Sequence, residues 1–256
     1  MTTRFFGGQA WRWREAAHLP GQRQKPTLFV IGNGEDPFAE HTSSLEVETM
    51  FRSFRANIRT HKFMMVIEDV PRALARLDGR TFPSNVILAG RVQKQSDIAD
   101  VIVPVFGIKA TRYAILADPL VSPIDMPSSL LAPKSEGKGI GWVIVGCSPK
   151  KANDRMLRTD YLLNLLHDCD EAGVPVWVHN VGGALRDHSV PCRECGEDEL
   201  AHEPGQANPF ADGPATSTHA YTANNIVRMS LGRDGSVASE WPAAIRRQQR
   251  PVWLNV

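Results

Sequence analysis

The stretch GWVIVGCSPKKANDRM, residues 141–156, decides the fold class. Trp142 to Val145 is an unbroken run of strand formers. It stops at Gly146-Cys147-Ser148, and the cations Lys150, Lys151, Arg155 and Arg158 follow. A strand with one wet face alternates apolar and polar residues. This one does not, so both of its faces are buried, as in a parallel sheet covered by other layers.

Five further runs read the same way: TLFVIG (27–32), KFMMVI (62–67), NVILAG (85–90), RYAILA (112–117) and VPVWVH (174–179). Helical patterns lie between several of them. SSLEVETMFRSFRANI offers Ser43 or Ser44 as N-cap, with Val47, Phe51, Phe54 and Ile58 at helical spacing. VPRALARL is a shorter helix, and SDIADVIVPVFGI also reads as helical. NDRMLRTDYLLNLLHDCDEAG carries Leu162, Leu165, Leu166 and Cys169 on one stripe and ends at Gly173, where a C′ glycine belongs. Strand–helix alternation of this kind predicts an α/β chain of βαβ units. No G-x-G-x-x-G follows the first strand; GNGEDPF is not that fingerprint.

Nearly every run exits into polar residues: Asp36; Glu68 and Asp69; Arg91 and Gln93; Asp118; Cys147 and Ser148; His179 and Asn180. In a β/α barrel these positions share the C-terminal rim where active sites sit. The expected architecture is therefore TIM-barrel-like, partial or complete, in a single domain spanning residues 1–256. From Ala184 to about Thr222 the chain loses all periodicity, a long irregular insertion that needs its own staple.

Composition sets the outer limits. Net charge is +1, so any basic surface is local. No apolar run reaches the ~18 residues of a membrane span, and the first residues lack a secretory layout. Four cysteines at irregular spacing form no disulfide framework, which makes a reducing cytoplasm the expected location, the host's if the gene is viral.

Three constellations carry chemistry. Asp36, Glu68, Asp69 and Asp118 would place several carboxylates on one rim, where neighbours push each other's pKa apart and so divide acid from base or nucleophile. N-capping of the following helices is the plainer use of the same residues. Cys147 could act as a nucleophile with His179 as its base, or simply pack as a small apolar residue. Lys150, Lys151 and Arg155 follow a late strand, where barrels hold phosphate, although a solvated charged face has the same composition. In the irregular insertion, His188, Cys192, Cys195 and His202 offer four ligands for a structural zinc, with His219 as a competitor.

Four stretches together resemble a known family: KPTLFVIGNGEDPF, FMMVIEDVPRAL, YAILADPLVSPID and IGWVIVGCSP with CDEAGVPVWVHNVGG. They are similar to a phage and bacterial family known mainly as an uncharacterised "phage protein" domain, a radical-SAM-like barrel. Its members open with a TxGCxxCYA motif and then show segments such as FQILTKxPERL, RFLSxEPLLGPI and DWVIVGGESG. The resemblance covers about Lys25 to Gly183. It implies a barrel and, from its phage setting, chemistry on nucleic-acid bases. The three-cysteine motif is absent here, so no iron–sulfur cluster is expected from this chain alone. The family's Thr-Lys becomes Glu68-Asp69, its Glu-Pro becomes Asp118-Pro119, and its Lys-Gln-Trp becomes His179-Asn180-Val181.

The expectation that follows is a base-modifying barrel enzyme acting on nucleic acid or a nucleotide, by carboxylate-based base exchange or by chemistry derived from the radical-SAM-like site. The alternative is a degenerate barrel kept as a binding or assembly subunit. A partner chain or a second copy that completes the barrel is a further expectation, and a membrane partner is not expected.

Overall fold

The computed structural model describes residues 2–4, 26–32, 36–131, 139–146, 157–181, 184–186, 226–228, 249 and 251. The strands are β1 (Thr2–Arg4), β2 (Thr27–Ile31), β3 (Lys62–Ile67), β4 (Val86–Arg91), β5 (Tyr113–Ala117), β6 (Ile140–Val145), β7 (Leu157–Arg158), β8 (Val176–Val178), β9 (Ala184–Arg186) and β10 (Ile226–Arg228). All six apolar runs are strands. They pair in the order β1-β2-β3-β4-β5-β6-β8, parallel throughout.

That order explains the shape. Each strand of the sheet lies beside the next one in the chain, so every crossover runs in the same sense. Right-handed crossovers then place the helices on one face, and strand twist curls the sheet around the other. The result is a half-barrel.

Burial follows the alternation of side chains along each strand. Phe29, Phe63, Met65, Leu88, Ile115, Val143 and Val178 join the helices in one large core. Leu28, Val30, Met64, Val66, Ile87, Ala89, Ala114, Leu116, Trp142, Ile144 and Trp177 form a second cluster on the opposite, inner face. Trp142 and Trp177 stack there at 5.8 Å. At the edge of the sheet, Gln249 donates its N–H to Val176 O at 2.9 Å and accepts from Val176 N–H through Oε1 at 3.2 Å.

The helices begin where local chemistry allows. In α1 (Ser44–Ala56) Ser43 is the cap, and Ser43 and Glu46 form a reciprocal capping box. Val47, Phe51 and Phe54 are buried, whereas Ile58 lies beyond the helix end and is exposed, because the helix stops before it. Asp69 caps α2 (Val70–Leu77). The segment after β4 is wound as one π turn (Ile98–Ile102), closed from Val103 N–H to Ile98 O, and a short α3 (Val103–Val105). Pro104 has no N–H with which to continue an α ladder. The next helix, α4 (Thr159–Glu171), starts later than its apolar pattern, because Leu157 and Arg158 pair with β9 instead. Gly173 has φ +65°, the left-handed conformation expected of it. The segment read as irregular from Ala184 opens with β9, which pairs antiparallel with β10. No helix among the described residues is long and apolar enough to cross a membrane.

Candidate functional site

The inner face of the sheet continues past the ends of the strands. Counting by twos from its apolar residues gives Gly32 after Val30, Glu68 after Val66, Arg91 after Ala89, Asp118 after Leu116, Gly146 after Ile144 and His179 after Trp177. These six positions lie at the carboxyl ends of six adjacent parallel strands, over the inner apolar cluster.

Direct contacts tie the layer together. Arg91 Nη1 donates to the Asp118 carbonyl at 2.6 Å and Nη2 to the Gly32 carbonyl at 3.5 Å. Its Nε lies 2.6 Å from Glu68 Oε1, as an ion pair without hydrogen-bond alignment. One guanidinium thus spans the ends of β2, β3 and β5 from β4. Across the sheet, His179 Nε2 lies 2.8 Å from Asp118 Oδ2, and both side chains are only 12% exposed.

The tautomer follows from the partners, as an assignment. A carboxylate only accepts, so the proton of this bond sits on Nε2 of the imidazole. The Asn180 amide nitrogen lies 2.8 Å from Nδ1 and 3.1 Å from Nε2, and Nδ1 is its acceptor in this assignment.

Gly146 makes room for the pair. A β-carbon there would overlap His179 Nε2 and lie 2.7 Å from its Cδ2 and 3.0 Å from Asp118 Cγ. Gly146 also donates its N–H to Ala117 O at 2.9 Å and accepts from Leu120 N–H at 3.0 Å, which pins the end of β6 to the chain around Asp118. Gly32 is equally confined: it has φ +89°, and a β-carbon would come 2.5 Å from Val66 O.

The carboxylates expected to share one rim separate into two groups. Asp118 and Glu68 belong to the inner layer. Asp36 and Asp69 bind Arg72, through Asp36 Oδ2 to Nη1 at 3.2 Å and Asp69 Oδ2 to Nη2 at 2.8 Å. Asp36 Oδ1 accepts from Phe38 N–H, and Asp69 Oδ1 accepts from Arg72 N–H as the N-cap of α2. Helix capping accounts for Asp69, whereas Asp36 closes a turn onto Phe38 N–H and leaves the capping of α1 to Ser43. Arg158 is held by Asp160 at 2.9 Å and lies over the Tyr161 ring at 4.4 Å. Cys147, Lys150, Lys151, Arg155, His188, Cys192, Cys195 and His202 lie outside the described residues. Among the described residues no group of three or more His, Cys, Asp or Glu could hold a metal.

Sequence reasoning noticed Arg91 and Asn180 as polar strand exits and gave neither a role. It marked Gly146 and Gly32 as the ends of their strands without finding the close contacts that require them. The signal that locates Arg91, Gly146 and Gly32 is parity: each stands two residues beyond an inner-face side chain, whereas Asn180 is three beyond Trp177 and meets the site through His179.

The sequence model of a family described as "Protein of unknown function (DUF5131)" matches residues 5–235. The chain belongs to that family. No curated protein and no solved structure matches it. In this DUF5131 chain the described cysteine, Cys169, is fully buried on the core side of α4.

Proposed function

We propose that this chain is a β/α-barrel enzyme that performs acid–base chemistry on a nucleotide or on a base within nucleic acid, with Asp118 meeting the substrate. The observation that carries the reading is the Asp118–His179 pair, 2.8 Å apart and nearly buried at the carboxyl ends of parallel strands. Barrels hold their reactive groups at this position, where loops and strand ends converge. His179 orients the carboxylate with its Nε2–H. Arg91 fixes the backbone of Asp118, so the reacting group stands on a rigid element. Base exchange through a carboxylate needs no cluster and suits these residues better than radical chemistry does. The nucleotide part of the reading rests on the resemblance to the phage family and on Lys150, Lys151 and Arg155, whose charge suits phosphate.

The test is a nucleoside digest of DNA and RNA from cells that express the protein, read by mass spectrometry. A modified or exchanged base that disappears with Asp118→Asn supports the proposal. Identical nucleoside profiles with and without the protein count against it.

One observation favours the second reading, a binding or assembly subunit. The contacts of Arg91, Glu68, Asp118 and His179 are largely with one another, as in a layer that holds the sheet ends together. On that reading Asp118→Asn would lower stability and leave nucleic-acid chemistry untouched. For the insertion we propose a structural zinc on His188, Cys192, Cys195 and His202, where folding of the segment would be coupled to metal binding.

A further inference from the structure

We infer that Gln249 is a positioning residue for the Asp118–His179 pair, a clip that sets β8 against β6 and so keeps His179 on Asp118. That the clip serves a working site rests on the reading above, which it deepens by naming a residue distant in sequence on which the site depends.

Start with the strand that leads to His179. β8 has three residues and is the last strand in the order of the large sheet. In a parallel ladder one residue turns its N–H and C=O toward one neighbour, and the next residue turns them the other way. Val143 N–H donates to Pro175 O and His179 N–H to Val145 O, so residues 175, 177 and 179 face β6. The N–H and C=O of Val176 therefore face the outer edge. Val176 is fully buried, and buried backbone groups need partners. Gln249 supplies both: its N–H donates to Val176 O at 2.9 Å, and its Oε1 accepts from Val176 N–H at 3.2 Å.

The same residue reaches the neighbouring strand. Gln249 O accepts from Trp142 Nε1–H at 3.3 Å, and the Trp142 ring stacks on Trp177 of β8. Gln249 thus holds β6 and β8 together through three hydrogen bonds. Both strands lead to the site. Gly146 stands four residues after Trp142, and His179 three after Val176, or ~10 Å along the strand. The fit there is close, because His179 fills the space beside Gly146. A small slide of β8 against β6 would carry Nε2 away from Asp118. Gln249 lies beyond residues 5–235, the part of the chain that the family's model matches.

The test is nitrogen NMR of the neutral His179 imidazole in the full chain, as wild type, Gln249→Ala and Gln249→Glu. Gln249 is exposed, so neither substitution leaves a hole in the core. Alanine removes Oε1 and deprives Val176 N–H of its acceptor, whereas glutamate keeps an oxygen of the same reach. The expected result is a single Nε2–H tautomer in wild type and Gln249→Glu and a mixture in Gln249→Ala. Exchange of the Nε2 proton with water should be about 2- to 10-fold faster in Gln249→Ala. A single, slowly exchanging tautomer in Gln249→Ala overturns the inference whatever its stability, since Gln249 would then only seal the sheet edge. Equal disturbance in both variants also overturns it, since the lost acceptor would not be the cause. This readout involves no nucleic acid, whereas the nucleoside digest tests the reading on which the clip's purpose rests, so the two fail separately.

Discussion

The ring of His179 occupies the space that a side chain at Gly146 would need. A β-carbon at Gly146 would overlap Nε2 of His179, the atom that bonds Asp118, and approach Asp118 Cγ to 3.0 Å. Neither neighbour can yield easily. Asp118 is tethered through its carbonyl to Arg91, and His179 continues directly from β8.

Gly146→Ala therefore breaks the pair while every polar group remains in the chain. We expect a stability loss of about 1–3 kcal/mol, in the range of overpacked sites. The nitrogen shifts of the His179 imidazole report the local effect. They should show a single Nε2–H tautomer in the wild-type neutral ring and a mixture in the variant. An unchanged imidazole signature in Gly146→Ala would contradict the steric argument.

Removing His179 leaves Asp118 nearly buried without its donor. His179→Ala should cost about 1–3 kcal/mol in urea unfolding, the range for an unsatisfied buried group. His179→Gln keeps an N–H donor on a side chain of comparable reach and should recover part of that loss. Equal losses in both variants would mean that packing, not the bond to Asp118, sets the energy.

The two carboxylate groups should separate in function. Asp36→Asn removes the charge facing Arg72 and should cost at most about 1 kcal/mol, because Arg72 is partly exposed and keeps Asp69. The proposed base-modifying activity should equal that of wild type in this variant. Asp118→Asn should abolish that activity with the fold intact by circular dichroism. If Asp36→Asn were the inactive variant, the site would lie on the α2 side of the sheet end.

Cys169 provides a pH dependence. Burial, reinforced by Asp168 and Asp170, pushes its thiol from 9.0 up to about 12. The folded state thus holds a proton that the unfolded chain releases. The resulting stability is complete below pH 9 and declines as pH rises toward 12, by at most about 1.4 kcal/mol per pH unit. Denaturant titrations between those pH values should show the decline, and Cys169→Ala should flatten it. A slope that survives in Cys169→Ala would belong to another group.

Metal content tests the insertion. We expect about one zinc per chain, as in tetrahedral sites built from two cysteines and two histidines. The metal should be lost in Cys192→Ser with Cys195→Ser, with the Asp118 chemistry retained. A zinc-free wild-type protein refolded with zinc in excess would remove the proposal.

Six strands and the helices between them were legible in sequence because their causes are local, whereas β1, β7, β9 and β10 were not. Non-alternating apolar runs mark strands buried on both faces, and all six runs are strands of one parallel sheet. Ser43 with Glu46 announces the start of α1, and Gly173 the end of α4. Competition between elements blurred the boundaries: pairing with β9 takes Leu157 and Arg158 from α4, and α1 stops short of Ile58.

What the sequence alone determined, then, is six strands of the large sheet and their parallel class, since each rests on a pattern carried along the chain. Which polar residues meet was decided only in three dimensions. Asp36, Asp69 and Asp118 look alike as strand exits, yet the first two are drawn to Arg72 on α2, and only Asp118 stands on the inner face with His179. The physical reason is that strand pairing sets both the register and the curl of the sheet. Those two together bring residues 61 positions apart to 2.8 Å and make the missing side chain of Gly146 the space between them.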